Sequence, residues 1–159
     1  MSGIKLVGDW ARLEKNLNRL KKMSFLALHK EIGEQLLTNT KERFRKQVDP
    51  DGKPWAKSFR AVQEKGKTLM DKRELYNSLS FKAKPDRVDV GTNKIYAATH
   101  QEGAVIKPRK AKYLKFKFNG SFRTVKKVKI PARPFMGINR NDRQDIEEII
   151  RERIEEILR

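Results

Sequence analysis

The sequence predicts an α+β fold with long N-terminal helices, a small antiparallel sheet built from hairpins, and a C-terminal helix. Three observations predict it. Apolar residues recur at helical spacing through the N-terminal third, two pairs of alternating segments flank tight turns, and an isoleucine stripe of helical period closes the chain. Runs of helix, then hairpins, then helix mark α+β rather than a wound α/β sheet. At 159 residues the chain fits a single domain, residues 1–159, with a modest core.

Residues 9–22, DWARLEKNLNRLKK, place Trp10, Leu13, Leu17 and Leu20 on one helical face, with Asp9 positioned to cap. Residues 1–23 are expected to form an N-terminal helical arm. From Ser24, a second candidate cap, the pattern continues through Phe25, Leu28, Ile32, Leu36 and Phe44. It stops at VDPDGKPW, where two prolines and a glycine forbid helix. Residues 56–72 carry no clear period and are expected to be an exposed, mobile loop. RELYNSL suits a single helical turn. SLSFKAK and DRVDVGT alternate about KPD as a β-hairpin, with Leu79 and Phe81 on one face and Val88 and Val90 across from them.

YAATHQ predicts a short helical turn stopped by Gly103. YLKFKF and SFRTVKKVKI flank Asn119-Gly120, the strongest short-range hairpin signal. Alternation directs Leu114, Phe116 and Phe118 to one side and Lys115 and Lys117 to the other. Residues 104–130 are expected to be a basic hairpin insertion. IPARPFMGIN follows as a rigid extended connector. The last helix is expected from Asn141, with Asn141 and Gln144 as a capping box and Ile146, Ile149, Ile150, Ile154 and Ile157 as its stripe.

Net charge is +18, a balance that points to a polyanionic partner. The charge is unevenly placed. No Asp or Glu occurs between Gly103 and Asn139, where Lys107, Arg109, Lys110, Lys112, Lys115, Lys117, Arg123, Lys126, Lys127, Lys129 and Arg133 gather. The surface formed by the nine from Lys107 to Lys127 is expected to face DNA or an acidic partner, because a merely solvated sheet edge normally mixes both signs. There is no cysteine, which removes disulfides and thiolate chemistry. No run is long and apolar enough to span a bilayer, so a soluble protein without a membrane partner is expected.

A catalytic constellation is missing from the sequence. His29 and His100 lie far apart and lack H-E-x-x-H spacing, and no glycine-rich phosphate loop occurs. Asp86, Asp89 and Glu102 bracket the first hairpin, but Asp86 sits at a turn and Asp89 alternates outward, the ordinary positions of solvated carboxylates. No enzyme, metal or cofactor is expected. The alternatives are a stand-alone basic nucleic-acid-binding protein and a small nuclease.

Three segments in order, DPDGKPW (49–55), VGTNKIYAATHQEG (90–103) and IPARPFMGIN (130–139), resemble the phage virion morphogenesis, or tail completion, family of long-tailed and Mu-like phages. The resemblance implies a virion structural protein made in the host cytoplasm. It would form a ring with copies of itself, a hexamer being favoured, that completes the tail at the neck and joins it to the DNA-filled head. Expected neighbours are the tail terminator, the head-side connector and packaged DNA. It also implies that Trp55, Tyr96, His100, Gly103, Pro131, Arg133, Pro134, Phe135 and Met136 are assembly or structural positions. His100 would be scaffold, bonded to a backbone carbonyl.

Overall fold

The computed structural model describes residues 8–118 and 120–159, and its architecture is α+β. Helix α1 (Trp10–Lys21) begins where the Asp9 carboxylate accepts the Arg12 amide, and α2 (Phe25–Lys46) where the Ser24 hydroxyl accepts that of Ala27. Both side chains take up an amide hydrogen that the first helical turn leaves unpaired. Helix α2 ends at Gln47, which turns left-handed (φ 62) before the proline-rich stretch.

Helix α2 is the spine. The hairpin β1 (Leu79–Ala83) and β2 (Val88–Thr92) packs on one side of it, in the register Leu79↔Thr92 and Phe81↔Val90. The contact is close because position 33 is glycine: a Cβ there would come within 2.4 Å of the Phe81 ring. On another side lies α6 (Arg140–Leu158), tied to α2 by the Arg153–Glu31 ion pair. Helix α1 rests near the end of α6, where Arg19 donates to the Leu158 carbonyl at 3.2 Å.

Residues 56–72 are largely exposed, as expected, but not without regular structure. They hold a short helix, α3 (Phe59–Gln63), and bury Ala61 and Thr68. Gln47 ties the segment to α2: its side-chain amide accepts from Thr68 N at 2.6 Å and donates to Thr68 O at 3.1 Å. Ser58 N donates to the Thr68 hydroxyl at 3.0 Å and Lys67 Nζ to the Arg45 carbonyl at 2.8 Å, so polar side chains hold a segment with no apolar period of its own. The turn α4 (Glu74–Asn77) and helix α5 (Ala97–Glu102) fall where the sequence placed them.

The strands form three separate two-stranded ladders rather than one sheet. β3 (Ala104–Ile106) pairs with β6 (Val128–Ile130), and between them β4 (Leu114–Phe118) pairs with β5 (Ser121–Val125). Pro108, which has no amide hydrogen, and bends at 109–113 and 126 interrupt the two ladders. Residues 104–130 therefore make an arm with a paired base and a paired tip. The expected turn residue Asn119 and the direction of the Phe118 side chain lie outside the described residues.

The core gathers around Phe44. Its ring meets Trp55 edge-on at 5.3 Å and Phe135 at 5.1 Å between centroids, with Leu75, Leu79 and Ala97 completing the cluster. Such aromatic contacts add to what burial of the rings alone supplies.

Candidate functional site

The connector 131–139 runs through the middle of the molecule and is held residue by residue. Arg133 N donates to the His100 carbonyl at 2.7 Å. The Trp55 indole donates to the Pro134 carbonyl at 2.8 Å. Gln101 Oε1 accepts from both Phe135 N and Met136 N at 3.0 Å, and Gln101 Nε2 donates to the Met136 carbonyl at 2.8 Å. Arg43 donates to the carbonyls of Phe135 and Gly137 and pairs with the buried Asp142. An extended segment with two prolines has few backbone partners, so side chains supply them. The three sequence segments that carried the resemblance meet here.

Gly103 permits the crossing. Its φ is +77, and a Cβ would lie 2.8 Å from Ala132 N and 2.9 Å from Ile130 O. Only glycine fits both the left-handed backbone and the approach. Pro131 is exposed, whereas Phe135 is buried in the core and Met136 packs against it.

His100 differs from expectation. Its ring stands edge-on to Tyr96 at 5.9 Å, and its Nδ1 is buried without a hydrogen-bond partner among the described residues. The bond to the connector comes from its backbone carbonyl, because the ring points away toward a cavity it shares with Arg133 and Tyr96. Burial, and then the charge of Arg133, hold its pKa below the usual imidazole value. His29 is the histidine that meets a carbonyl, with Nδ1 2.7 Å from Lys84 O.

The C-terminal helix also begins differently. Asn139, not Asn141, is the cap: its side chain accepts from Asp142 N and its amide donates to the Asp142 carboxylate, each at 2.8 Å. Asp142 also accepts from Asn39 at 2.9 Å, so the cap joins the Arg43 pair in one buried network. Sequence reasoning missed Arg43, Gln101 and Asp142. The Asn139-x-x-Asp142 spacing was the legible signal for the last of them.

The arm carries its cations outward. Lys107, Arg109, Lys110, Lys112, Lys115, Lys117, Arg123, Lys126 and Lys127 are all exposed. They do not share one face. The register pairs Lys117 with Phe122 and Phe116 with Arg123, so each face of the tip ladder mixes a cation with an aromatic ring, correcting the expected division into an apolar and a basic side. Lys115 lies over the Phe122 ring at 5.1 Å, a cation–π contact that keeps the ammonium exposed. Lys126 and Lys127 sit at the bend between tip and base.

Several apolar side chains near the N-terminus are also exposed. Trp10, Leu13 and Leu17 of α1, with Phe25 and Leu26 at the start of α2, remain about half exposed or more. Two of the three carboxylates that bracket the first hairpin pair with cations. Asp89 meets Lys84 at 3.1 Å, which holds its pKa low, and Asp86 meets Arg87 at 3.2 Å. Among the described residues no group of three or more His, Asp or Glu is arranged to hold a metal ion, and no helix is long and apolar enough to cross a membrane.

The clamped body carries a cationic arm and a helix with an exposed apolar face, and sequence comparison gives its family. The chain belongs to the phage virion morphogenesis family, whose sequence model matches residues 9–155. Its role is therefore in building the phage particle, as the three segments implied. It is 31% identical over 144 residues to the putative capsid assembly protein G of Escherichia phage Mu, covering 84% of this chain and 81% of that one. No solved structure matches it.

Proposed function

We propose that the protein is a non-enzymatic structural component of the virion, assembling as a ring at the neck that completes the tail and joins it to the DNA-filled head. The observation that carries this reading is the uncovered apolar face of α1 and the start of α2 on a chain of the virion morphogenesis family. Apolar faces of this kind are buried against neighbours in assembled particles. The name of the Mu relative, a capsid assembly protein, supports a position on the head side of the tail. The tail terminator and the head-side connector are the proposed neighbours.

The arm supplies a charge argument. Ten cations and no acid lie in residues 104–130. A hexamer would gather roughly 60, whereas about 40 Å of duplex carries only about 24 phosphate charges per strand pair. Full lumenal display would overcompensate DNA about 2.5-fold. Part of the charge, led by Lys115, Lys117, Lys126 and Lys127, is thus proposed to face DNA, and the rest an acidic protein surface.

The test is a nonsense mutation in the coding sequence, with the lysate viewed by electron microscopy. Filled heads and finished tails that fail to join are expected. Normally joined particles would refute the assignment.

A further inference from the structure

Among the described residues two arginines are buried, and one of them has a counter-charge. Arg43 pairs with Asp142. Arg133, 5% exposed, donates from Nε to the Ala56 carbonyl at 2.8 Å, and no carboxylate pairs with it among the described residues. No acceptor among the described residues meets its terminal nitrogens, which are not sealed off but open onto the cavity beside them. A largely buried guanidinium with no anion beside it favours binding one.

Arg133 forms part of the wall of a cavity of about 360 Å³, together with His100, Tyr96, Leu75, Lys72 and Arg73. The acidic groups of that wall turn to other cations: Asp71 lies 3.7 Å from Arg60, and Glu74 3.5 Å from Lys94. Lys72 and Arg73 have no ion-pair partner among the described residues. The cavity is thus positive on balance.

We propose that this cavity is a carboxylate-binding site with Arg133 as its fork. A guanidinium offers two parallel N–H groups that fit the two oxygens of a planar carboxylate. Leu69, Leu75 and Tyr96 give the carbon stem of such a ligand an apolar wall. The carboxylate is that of a free organic acid or of an acidic side chain presented by another protein subunit. The inference does not depend on the neck assignment.

The test is NMR of the full-length ¹⁵N-labelled chain, following the Arg133 Nε–H and His100 ring signals. Sodium acetate and its neutral isostere acetamide are titrated separately, with chloride holding ionic strength constant. Acetate should shift both signals to saturation while acetamide does not, and Arg133→Lys should weaken acetate binding about tenfold or more by losing the fork. Shifts that never saturate, an equal response to acetamide, or unchanged affinity in a folded Arg133→Lys chain would overturn the proposal. If that variant fails to fold, the acetate–acetamide comparison on the native chain decides alone. Organic-acid analysis of the denatured purified protein then separates the sources. A stoichiometric small acid identifies a free ligand, and none, with acetate still saturating, identifies a partner's side chain.

Discussion

Replacing Phe135 by alanine should remove the part that holds connector and core together. The ring is 1% exposed and 5.1 Å from that of Phe44, so the substitution deletes a filled position rather than trimming a surface. Losing about 100 Å² of buried apolar area costs about 2.5 kcal/mol by transfer alone. A cavity term adds to this wherever the surroundings cannot collapse. Here collapse is opposed, because Gln101 holds the backbone at 135 and 136 and Trp55 holds Pro134. A loss of about 4 kcal/mol is expected, within the usual range for buried aromatic truncation. Equilibrium urea unfolding should read it as a midpoint about 2 M lower, for a slope near 2 kcal/mol/M. Trp55 reports from inside the cluster, and a Trp10→Phe background removes the exposed indole. A loss below about 1 kcal/mol would refute the packing argument, since no buried phenylalanine in a clamped site is that cheap to remove.

Four further outcomes follow from the same geometry. Gln101→Ala should cost about 2 kcal/mol in urea unfolding and speed hydrogen exchange at the amides of 135 and 136, which lose their acceptor. Asp142→Ala should cost about 3–5 kcal/mol by leaving Arg43 buried and unpaired, whereas replacing both partners by apolar residues of similar volume should recover most of it. Gly103→Ala should cost about 2 kcal/mol or more from the strained φ and the contact with Ala132, checked by thermal unfolding. His100 should titrate below the usual imidazole value by NMR. The unfolded chain then binds the proton first, so stability falls as pH is lowered from that value through the folded pKa, and His100→Gln should flatten that slope.

Much of the fold was legible because it rests on period and punctuation. The stripes of α1, α2 and α6 repeat every three to four residues, and Asp9 and Ser24 cap where their short polar side chains allow. The hairpin about KPD followed from strict alternation. What escaped was held by single polar side chains acting across long sequence separations. Gln47 ties residues 56–72 to α2, Gln101 grips the connector, and Arg43 joins α2 to α6, yet each looks like an ordinary surface residue in the sequence. The mixed faces of the arm were missed for another reason. Alternation fixes which residues of one strand share a side, but only the register showed Phe122 beside Lys117 and Arg123 beside Phe116.

The neck assignment is tested most directly by cryo-electron microscopy of finished virions, with reconstruction focused on the junction between head and tail. The account predicts a closed ring of this chain at the head-proximal end of the tail. In that ring the α1 face is covered by a neighbour, and the arm 104–130 is directed at the DNA channel or at an acidic protein surface. Finding the chain absent from finished virions, or confined to head precursors, would contradict it.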